Sequence, residues 1–153
     1  MFTLQLFLTN SKLSSFYEPS CGPRGNDNAG FDLFVPDDVE FAAGEKKLVS
    51  MEVKAVLHHG GEDADVHYWM LPRSSISKTG LMLCNSVGVI DRTYRGELMA
   101  YLWNTKDVPV KVKKGDRLVQ IVAPDMGHIS TVELVSYLSA TVRGEGGFGS
   151  SGR

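Results

Sequence analysis

Residues 88–97 read Gly88-Val89-Ile90-Asp91-Arg92-Thr93-Tyr94-Arg95-Gly96-Glu97 and join two apolar runs. The polar residues between runs 87–90 and 98–103 predict a β-hairpin, in which Gly88 and Gly96 let the backbone bend or approach a ligand closely. A carboxylate, two guanidiniums and a phenol ring lie at the tip of this hairpin. The ordinary role of an Asp in a hairpin is a solvated turn, so these residues alone leave the function open.

The rest of the chain also consists of short apolar runs separated by turn residues. Between 47 and 57 the residues that share one face predict a single long strand with a polar opposite face; they are Val49, Met51, Val53, Ala55 and Leu57. No segment has a long helical period. Many short strands at close spacing predict an all-β sandwich or barrel. We assign residues 1–140 to this domain and the Gly-rich residues 141–153 to a flexible C-terminal arm.

Composition narrows the class of protein. At 153 residues, with 42% hydrophobic and 22% charged residues, the chain is typical of one globular domain. A net charge of −2 argues against nucleic-acid binding, and no apolar run is long enough to cross a membrane. The apolar N-terminus has no signal-peptide features, and Cys21 and Cys84 lack metal-ligand spacing. We therefore expect a soluble intracellular protein, cytoplasmic or nuclear.

Several polar residues interrupt the predicted strands. Pro72 ends one strand, and the following Arg73-Ser74-Ser75 predicts a helical turn capped by Ser74 or Ser75 that could also hold a phosphate. Gln120 lies in an apolar strand and needs a hydrogen-bond partner, either structural or a ligand. Asp32 is either a satisfied carboxylate at a strand edge or part of a charged site. The polar segment 58–65 predicts an exposed hairpin loop rather than a metal site.

The C-terminal arm has two interpretations. It contains a G-x-G-x-x-G pattern but lacks the strand and helix of a dinucleotide-binding unit. A Gly/Ser tail is normally flexible. However, Arg143 and Phe148 offer a phosphate-binding fork and a stacking ring, so the arm could instead become ordered over a nucleotide.

Asp91 is a candidate general base. A carboxylate can orient a water molecule and accept part of its proton during hydrolysis of a phosphoanhydride. The remaining work is positioning and charge neutralisation, which arginines and a divalent cation perform. We expect Mg²⁺ held mainly by substrate phosphates and water, because this needs no cage of protein ligands.

Taken together, five segments resemble the five motifs of the homotrimeric dUTPases, in order and spacing, over nearly the whole chain. The segments are Ala29 to Leu33, Pro72 to Ser75, Gly88 to Glu97, Gly115 to Gln120 and Arg143 to Gly152. The resemblance implies a jelly-roll subunit and a homotrimer with shared active sites, each drawing motifs from all three chains. It implies Mg²⁺-dependent hydrolysis of dUTP to dUMP and pyrophosphate, which keeps uracil out of DNA and supplies dUMP for thymidylate synthesis.

The resemblance also implies roles for residues near the hairpin. Asp91 would hold and activate the water that attacks the α-phosphorus. Tyr94 would lie against the deoxyribose and exclude a ribose 2′-hydroxyl. Uracil would be read by the Asn85 side chain and the backbone of Val89, Ile90 and Met99.

Other roles implied by the resemblance concern the phosphates. A neighbouring chain would contact them through Arg73, Ser74, Ser75 and Gln120. The arm would close over the γ-phosphate and uracil through Arg143, Phe148, Gly149 and Ser150. Asp32 would lie near the arginines or approach the metal through a water molecule.

The chain departs from the family pattern at four places. Ser75 replaces the usual Gly of the second motif, the turn from Ile76 to Gly80 is shortened, and Ser151 replaces a Thr in the fifth motif. Segment 58–68 does not resemble the family, and we expect only a loop there. Two alternatives stay open: a deaminase of the same superfamily that acts on dCTP, and a dUTPase-like protein that works by binding a regulatory partner.

Overall fold

The computed structural model describes residues 1–60 and 64–147, which form fourteen strands and four short helical segments. The strands are β1 Phe2–Leu8, β2 Gly22–Pro23, β3 Phe31–Asp32, β4 Val39–Phe41, β5 Lys46–Ser50, β6 Val53–His59, β7 Asp65–Val66, β8 Tyr68–Pro72, β9 Leu81–Leu83, β10 Gly88–Ile90, β11 Met99–Asn104, β12 Val110–Val112, β13 Val119–Val122 and β14 Ile129–Leu134. The helical segments are Ser11–Leu13, Ser14–Tyr17, Glu18–Ser20 and Ser74–Lys78.

The strands form four hydrogen-bonded sheets. Their orders are β2-β14-β1-β6-β7, β10-β8-β13-β3, β5-β11-β9 and β12-β4. None of these sheets closes into a barrel within the described residues. The predicted all-β class with a jelly-roll-like arrangement is confirmed, in the form of open sheets packed around a shared core.

β1 organises the largest sheet because both of its edges are paired. It runs antiparallel to β6 over seven residue pairs and parallel to β14 on the other side. Leu4 and Leu6 alternate with Thr3 and Gln5, and both leucines are fully buried. Removing two such side chains from water contributes a few kcal/mol, which explains why the register of this strand follows its apolar residues.

The predicted long strand over 47–57 is wrong. The chain breaks at Met51 and Glu52, where Glu52 has a φ of 55°, and passes from β5 in one sheet to β6 in another. The alternating face is nevertheless buried along its whole length, from Val49 to Leu57. Alternation therefore identified the core residues correctly but could not reveal that two sheets share them.

The predicted hairpin at residues 87–103 is also wrong. β10 pairs with β8, whereas β11 pairs with β5 and β9, so the two strands belong to different sheets. Both strands are apolar, and the partners that complete their ladders lie outside the 87–103 hairpin that was predicted. The loop at Asp91–Leu98 consequently bridges two sheets.

Two smaller predictions differ in detail. The helical turn after Pro72 is present as the 3₁₀ segment Ser74–Lys78, but no side chain caps it, and Ser75 instead accepts a hydrogen bond from Arg73. The strand expected over 31–35 is limited to β3. By contrast, the hairpin predicted around 58–65 is formed by β6 and β7.

Residues 11–20 form helical turns that the sequence pattern did not predict. They bury Leu13 and Tyr17 against the core, and the Tyr17 hydroxyl accepts a hydrogen bond from the Phe34 N–H at 2.9 Å. Burial raises the pKa of Tyr17 to about 12, so its phenol stays neutral. This packing fixes the loop that carries Phe31 and Asp32.

Within residues 1–60 and 64–147, no helix has the length and apolar character needed to cross a bilayer. Cys21 and Cys84 are free thiols.

Candidate active site

A cleft of about 290 Å³ opens where β10 and β11 diverge into their separate sheets. β10 is an edge strand, so one row of its N–H and C=O groups has no strand partner among the described residues. The lining residues are Met70, Asn85, Gly88, Val89, Ile90, Asp91, Tyr94, Leu98, Met99, Arg143 and Gly147. Six residues predicted for base, sugar and water binding are therefore gathered in one place with Arg143, which was predicted for the γ-phosphate; the six are Asn85, Val89, Ile90, Asp91, Tyr94 and Met99.

The Tyr94 ring is held against the loop by its own hydroxyl, which donates to the Glu97 carbonyl at 2.6 Å. A Cβ at Gly96 would lie 2.4 Å from the Tyr94 Oη, so the absence of a side chain at Gly96 makes room for this ring. Burial raises the pKa of Tyr94, with Arg143 opposing the effect, so the phenol stays protonated and remains a donor. The ring therefore presents a fixed apolar surface to the cleft.

Asp91 lies at the mouth of the cleft with its side chain 46% exposed. Its Oδ2 accepts a hydrogen bond from the Arg143 Nη1, and the Arg143 guanidinium carbon lies 5.3 Å from the centre of the Tyr94 ring. The Arg143 Nε also donates to the Gly146 carbonyl at 2.8 Å. One guanidinium thus links the carboxylate, the ring and the arm.

The described part of the arm, residues 141–147, lies against the loop of its own chain. Gly144 forms a parallel bridge with Tyr94, and its carbonyl accepts the Arg95 N–H at 2.6 Å. The Thr141 hydroxyl donates to the Thr93 carbonyl. The predicted contributions of Phe148, Gly149 and Ser150 lie outside the described residues.

Arg95 anchors the loop, a role that the sequence pattern did not reveal. Its side chain is only 8% exposed, and its guanidinium donates to the Arg92, Tyr94 and Ser139 carbonyls. It also pairs with the Asp65 carboxylate at 2.7 Å. Because a buried charge without partners is costly, the acceptors of Arg95 tie the loop to β7 and to the base of the arm.

A second cluster surrounds Asp32 in a larger cleft of about 790 Å³. The two Asp32 oxygens pair with the Arg73 Nε at 2.9 Å and the Arg117 Nη1 at 3.2 Å. Gln120 pairs across the sheet with Asp32, and its Nε2 donates to the Pro72 carbonyl at 3.3 Å. Asp32 thus orients two guanidiniums at the entrance to a polar cleft, which suits an anionic ligand.

The two clefts lie at different places on one sheet. β10 borders the first cleft, whereas residues of β8, β13 and β3 line the second. Asp91 follows Ile90, which pairs with Tyr68 at the start of β8, and Arg73 follows Pro72 at the other end of β8. Asp91 and Arg73 of one chain are therefore separated by roughly 16 Å along this strand.

The family model described as dUTPase matches residues 17–152. The chain belongs to the dUTPase family. A deoxyuridine 5′-triphosphate nucleotidohydrolase of Mycobacterium sp. (strain JLS) is 39% identical over 131 residues, covering 82% of each chain. The corresponding protein of Histophilus somni (strain 2336) is 38% identical over 129 residues, again covering 82% of each chain.

Solved structures of dUTPases have the same fold. The Streptococcus mutans dUTPase superposes with a TM-score of 0.55 at 36% identity, covering 65% of this chain and 81% of its own. A mutant dUTPase of Staphylococcus bacteriophage 80alpha with dUpNHpp has a TM-score of 0.62 over 99% of both chains, at 22% identity. A mutant dUTPase of phage phi11, solved to describe coordination of a structural Mg(II) ion, has a TM-score of 0.59 at 21% identity, covering 78% of this chain and 88% of its own.

The backbone of Gly30, in the first dUTPase motif, lies against the Gln120 side chain, and this contact predicts an effect on stability. A Cβ at this position would lie 1.8 Å from the Gln120 Oε1, so Gly30→Ala must displace the Gln120 side chain. We expect the free energy of unfolding to fall by about 1–2 kcal/mol, from overpacking and loss of the bond to Pro72. Urea unfolding at matched protein concentration measures it.

Gly25→Ala is the matched control, because the nearest atom to its Cβ lies 4.0 Å away in the same loop. Equal stability of the two variants would show that Gln120 can move without cost.

Proposed function

We propose that this chain hydrolyses dUTP to dUMP and pyrophosphate. The observation that carries the proposal is that a single cleft gathers Asp91, Tyr94 and Asn85 beside an open strand edge, in a chain of the dUTPase family. The similar proteins named above are nucleotidohydrolases of deoxyuridine 5′-triphosphate.

In this proposal the uracil ring enters the cleft beside β10. The unpaired edge of β10 offers the backbone donor and acceptor of every second residue, in the stretch that contains Val89 and Ile90. Met99 supplies backbone from the opposite side, and the Asn85 amide can donate and accept at once. A pyrimidine with two carbonyls and one ring N–H is matched by such a set.

Tyr94 selects deoxyribose. Its hydroxyl is bonded to the Glu97 carbonyl, so only the apolar ring faces the cleft. A 2′-hydroxyl against that ring would lose its hydrogen bonds to water without gaining a partner. We therefore assign to Tyr94 the discrimination against UTP.

Asp91 acts on water. The carboxylate orients a water molecule for in-line attack on the α-phosphorus and accepts its proton as the bond forms, while pyrophosphate leaves. In this structure Arg143 donates a hydrogen bond to Asp91. Its guanidinium must move to the phosphates, because the bond occupies a carboxylate oxygen that would otherwise accept from the water.

The phosphate contacts come from a second chain. Arg73, Ser74 and Ser75 follow the end of β8 that lies away from Asp91, and Gln120 pairs with Leu71 near that end. We infer that another copy brings this cluster to the first cleft. An exposed apolar face on the three-stranded sheet supports association; its residues are Leu48, Met82, Tyr101 and Trp103. We propose a homotrimer in which each site is completed by neighbouring chains.

Light scattering tests the assembly. Three chains of 16.8 kDa give a mass of about 50 kDa for the trimer. Trp103→Glu, on the apolar face, is expected to yield monomers that retain strand content but lose dUTP hydrolysis. An active wild-type monomer would contradict the shared site.

Mg²⁺ suits this site as an ion that arrives with the substrate. Among the described residues no three His, Cys, Asp or Glu side chains cluster as metal ligands, and Asp32 is already paired with two arginines. A hard cation bound to phosphate oxygens and water needs no such cluster. When bound, it neutralises phosphate charge. An approach of Asp32 to the ion through a water molecule stays a prediction, as does the intracellular location.

Release of pyrophosphate in the presence of Mg²⁺ tests the proposed activity, with dUTP, UTP, dCTP and dTTP compared and ammonia followed in parallel. We expect rapid release from dUTP and at least about a hundredfold lower kcat/KM for UTP and dCTP, since a misfitting polar group costs several kcal/mol. For dTTP, which differs from dUTP only by a methyl group on the base, we expect a kcat/KM about ten- to a hundredfold lower. Ammonia from dCTP would indicate the deaminase. The geometry of the cleft argues against a deaminase, because that activity needs a catalytic Glu near the base. Glu97 does not line the cleft, and its carboxylate accepts hydrogen bonds from Thr9 and Ser50. If a folded trimer releases neither pyrophosphate nor ammonia from any of the four nucleotides, the protein is not an enzyme of either type, and the interpretation as a regulatory binding protein remains.

A further inference from the structure

His67 lies at the point where the β8–β10 ladder ends beside Asp91. The last pair of that ladder joins Ile90 to Tyr68, and the chain then leaves the sheet at Asp91. His67 precedes Tyr68 in the segment whose sequence does not resemble the dUTPase pattern. Its side chain is 61% exposed, so the core does not require an imidazole there.

The His67 imidazole takes the place of a strand carbonyl. Its Nδ1 accepts a hydrogen bond from the Arg92 backbone N–H at 3.0 Å, which requires the ring proton to be on Nε2. The same Nδ1 lies 3.9 Å from the Asp91 Oδ1, too far for a hydrogen bond. His67 therefore contacts the loop through the peptide that follows Asp91 and not through the carboxylate.

Both polar groups of the Arg92 backbone are held by side chains. His67 accepts from its N–H, and Arg95 donates to its carbonyl at 2.8 Å. The Asp91 carbonyl in turn accepts the Tyr94 N–H at 3.0 Å. These bonds restrict the backbone on the C-terminal side of Asp91, and with it the direction of the carboxylate.

We propose that His67 is a positioning residue for Asp91 in the hydrolysis of dUTP. It fixes the Asp91–Arg92 peptide so that the carboxylate faces the reacting phosphorus. This assignment rests on the proposed function of the cleft. Because displacement of a catalytic group by an ångström lowers its rate contribution, loss of the bond affects kcat more than substrate affinity.

Two substitutions test the proposal. His67→Ala removes the acceptor, and His67→Asn retains one, because the Asn Oδ1 occupies the place of the His Nδ1. We expect kcat for dUTP to fall about tenfold in His67→Ala with KM within about twofold, as for loss of one hydrogen bond, and His67→Asn to stay within about threefold of wild type. Wild-type kcat in His67→Ala, or equal loss in both variants, would overturn the proposal.

Hydrogen exchange of the Arg92 amide, followed by NMR in the full-length protein without nucleotide, provides a second readout. It separates failure of this inference from failure of the proposed function. We expect about tenfold faster exchange in His67→Ala and near wild-type protection in His67→Asn. If exchange does not change in His67→Ala, the bond does not hold the loop and the proposal is wrong, whatever the enzyme hydrolyses.

Discussion

Asp91→Asn is expected to lower kcat for dUTP by at least about a thousandfold, the largest effect of any single substitution in this chain. Asn has nearly the same shape as Asp but cannot accept the proton of the attacking water. The side chain is half exposed and its partner Arg143 belongs to the arm, so the fold does not depend on its charge. Pyrophosphate release gives kcat, and calorimetric titration with dUTP gives the dissociation constant.

In Asp91→Asn the dissociation constant for dUTP should change by less than about tenfold, because the contacts to uracil and the phosphates remain. Asp107→Asn is the control, since this exposed residue lies in the turn between β11 and β12. Full activity in Asp91→Asn would rule out its role as the base and leave water activation to another group.

Deletion of residues 141–153 is expected to lower kcat/KM for dUTP by about a hundredfold or more while the sheets stay folded. In the proposed function Arg143 would bind the phosphates and the arm would exclude water from the cleft, so the deletion would remove both effects together. The described arm residues contribute no side chain to the buried core. The free energy of unfolding, measured by urea denaturation, should therefore change by no more than about 1 kcal/mol. A much larger loss would show that the arm is needed for the fold.

Mixing Asp91→Asn chains with chains truncated after residue 140 tests whether each arm closes over the active site of its own chain or that of a neighbour. Within residues 1–60 and 64–147, the contacts that Arg143 and Gly144 make outside the arm are with the loop at 91–97. This loop is the same surface in every copy, so a neighbour's arm can make these contacts equally well. We expect co-refolded Asp91→Asn and truncated chains to regain activity at about a quarter of the sites, as random exchange between chains predicts. A mixture without activity would show that the arm closes on its own chain.

The sequence by itself determined the all-β class, the alternating buried positions and the residues that line the cleft around Asp91. Alternation of apolar residues is a local property, because a strand turns successive side chains to opposite faces whatever its neighbours are. The run from Val49 to Leu57 was buried as this rule requires. The motif order sufficed to predict which residues line the cleft, from Asn85 to Arg143.

Only the tertiary structure decided how these pieces are connected. Pairing between strands depends on partners far away in the chain, so the split at Glu52 and the separation of β10 from β11 could not be derived from local periodicity. Arg95 and His67 look like ordinary polar residues in the sequence. Their roles appear only when Asp65 and the Arg92 peptide, 30 and 25 residues distant, are brought within hydrogen-bond range. The free energy that fixes a polar side chain comes from partners supplied by the fold, and no local pattern encodes them.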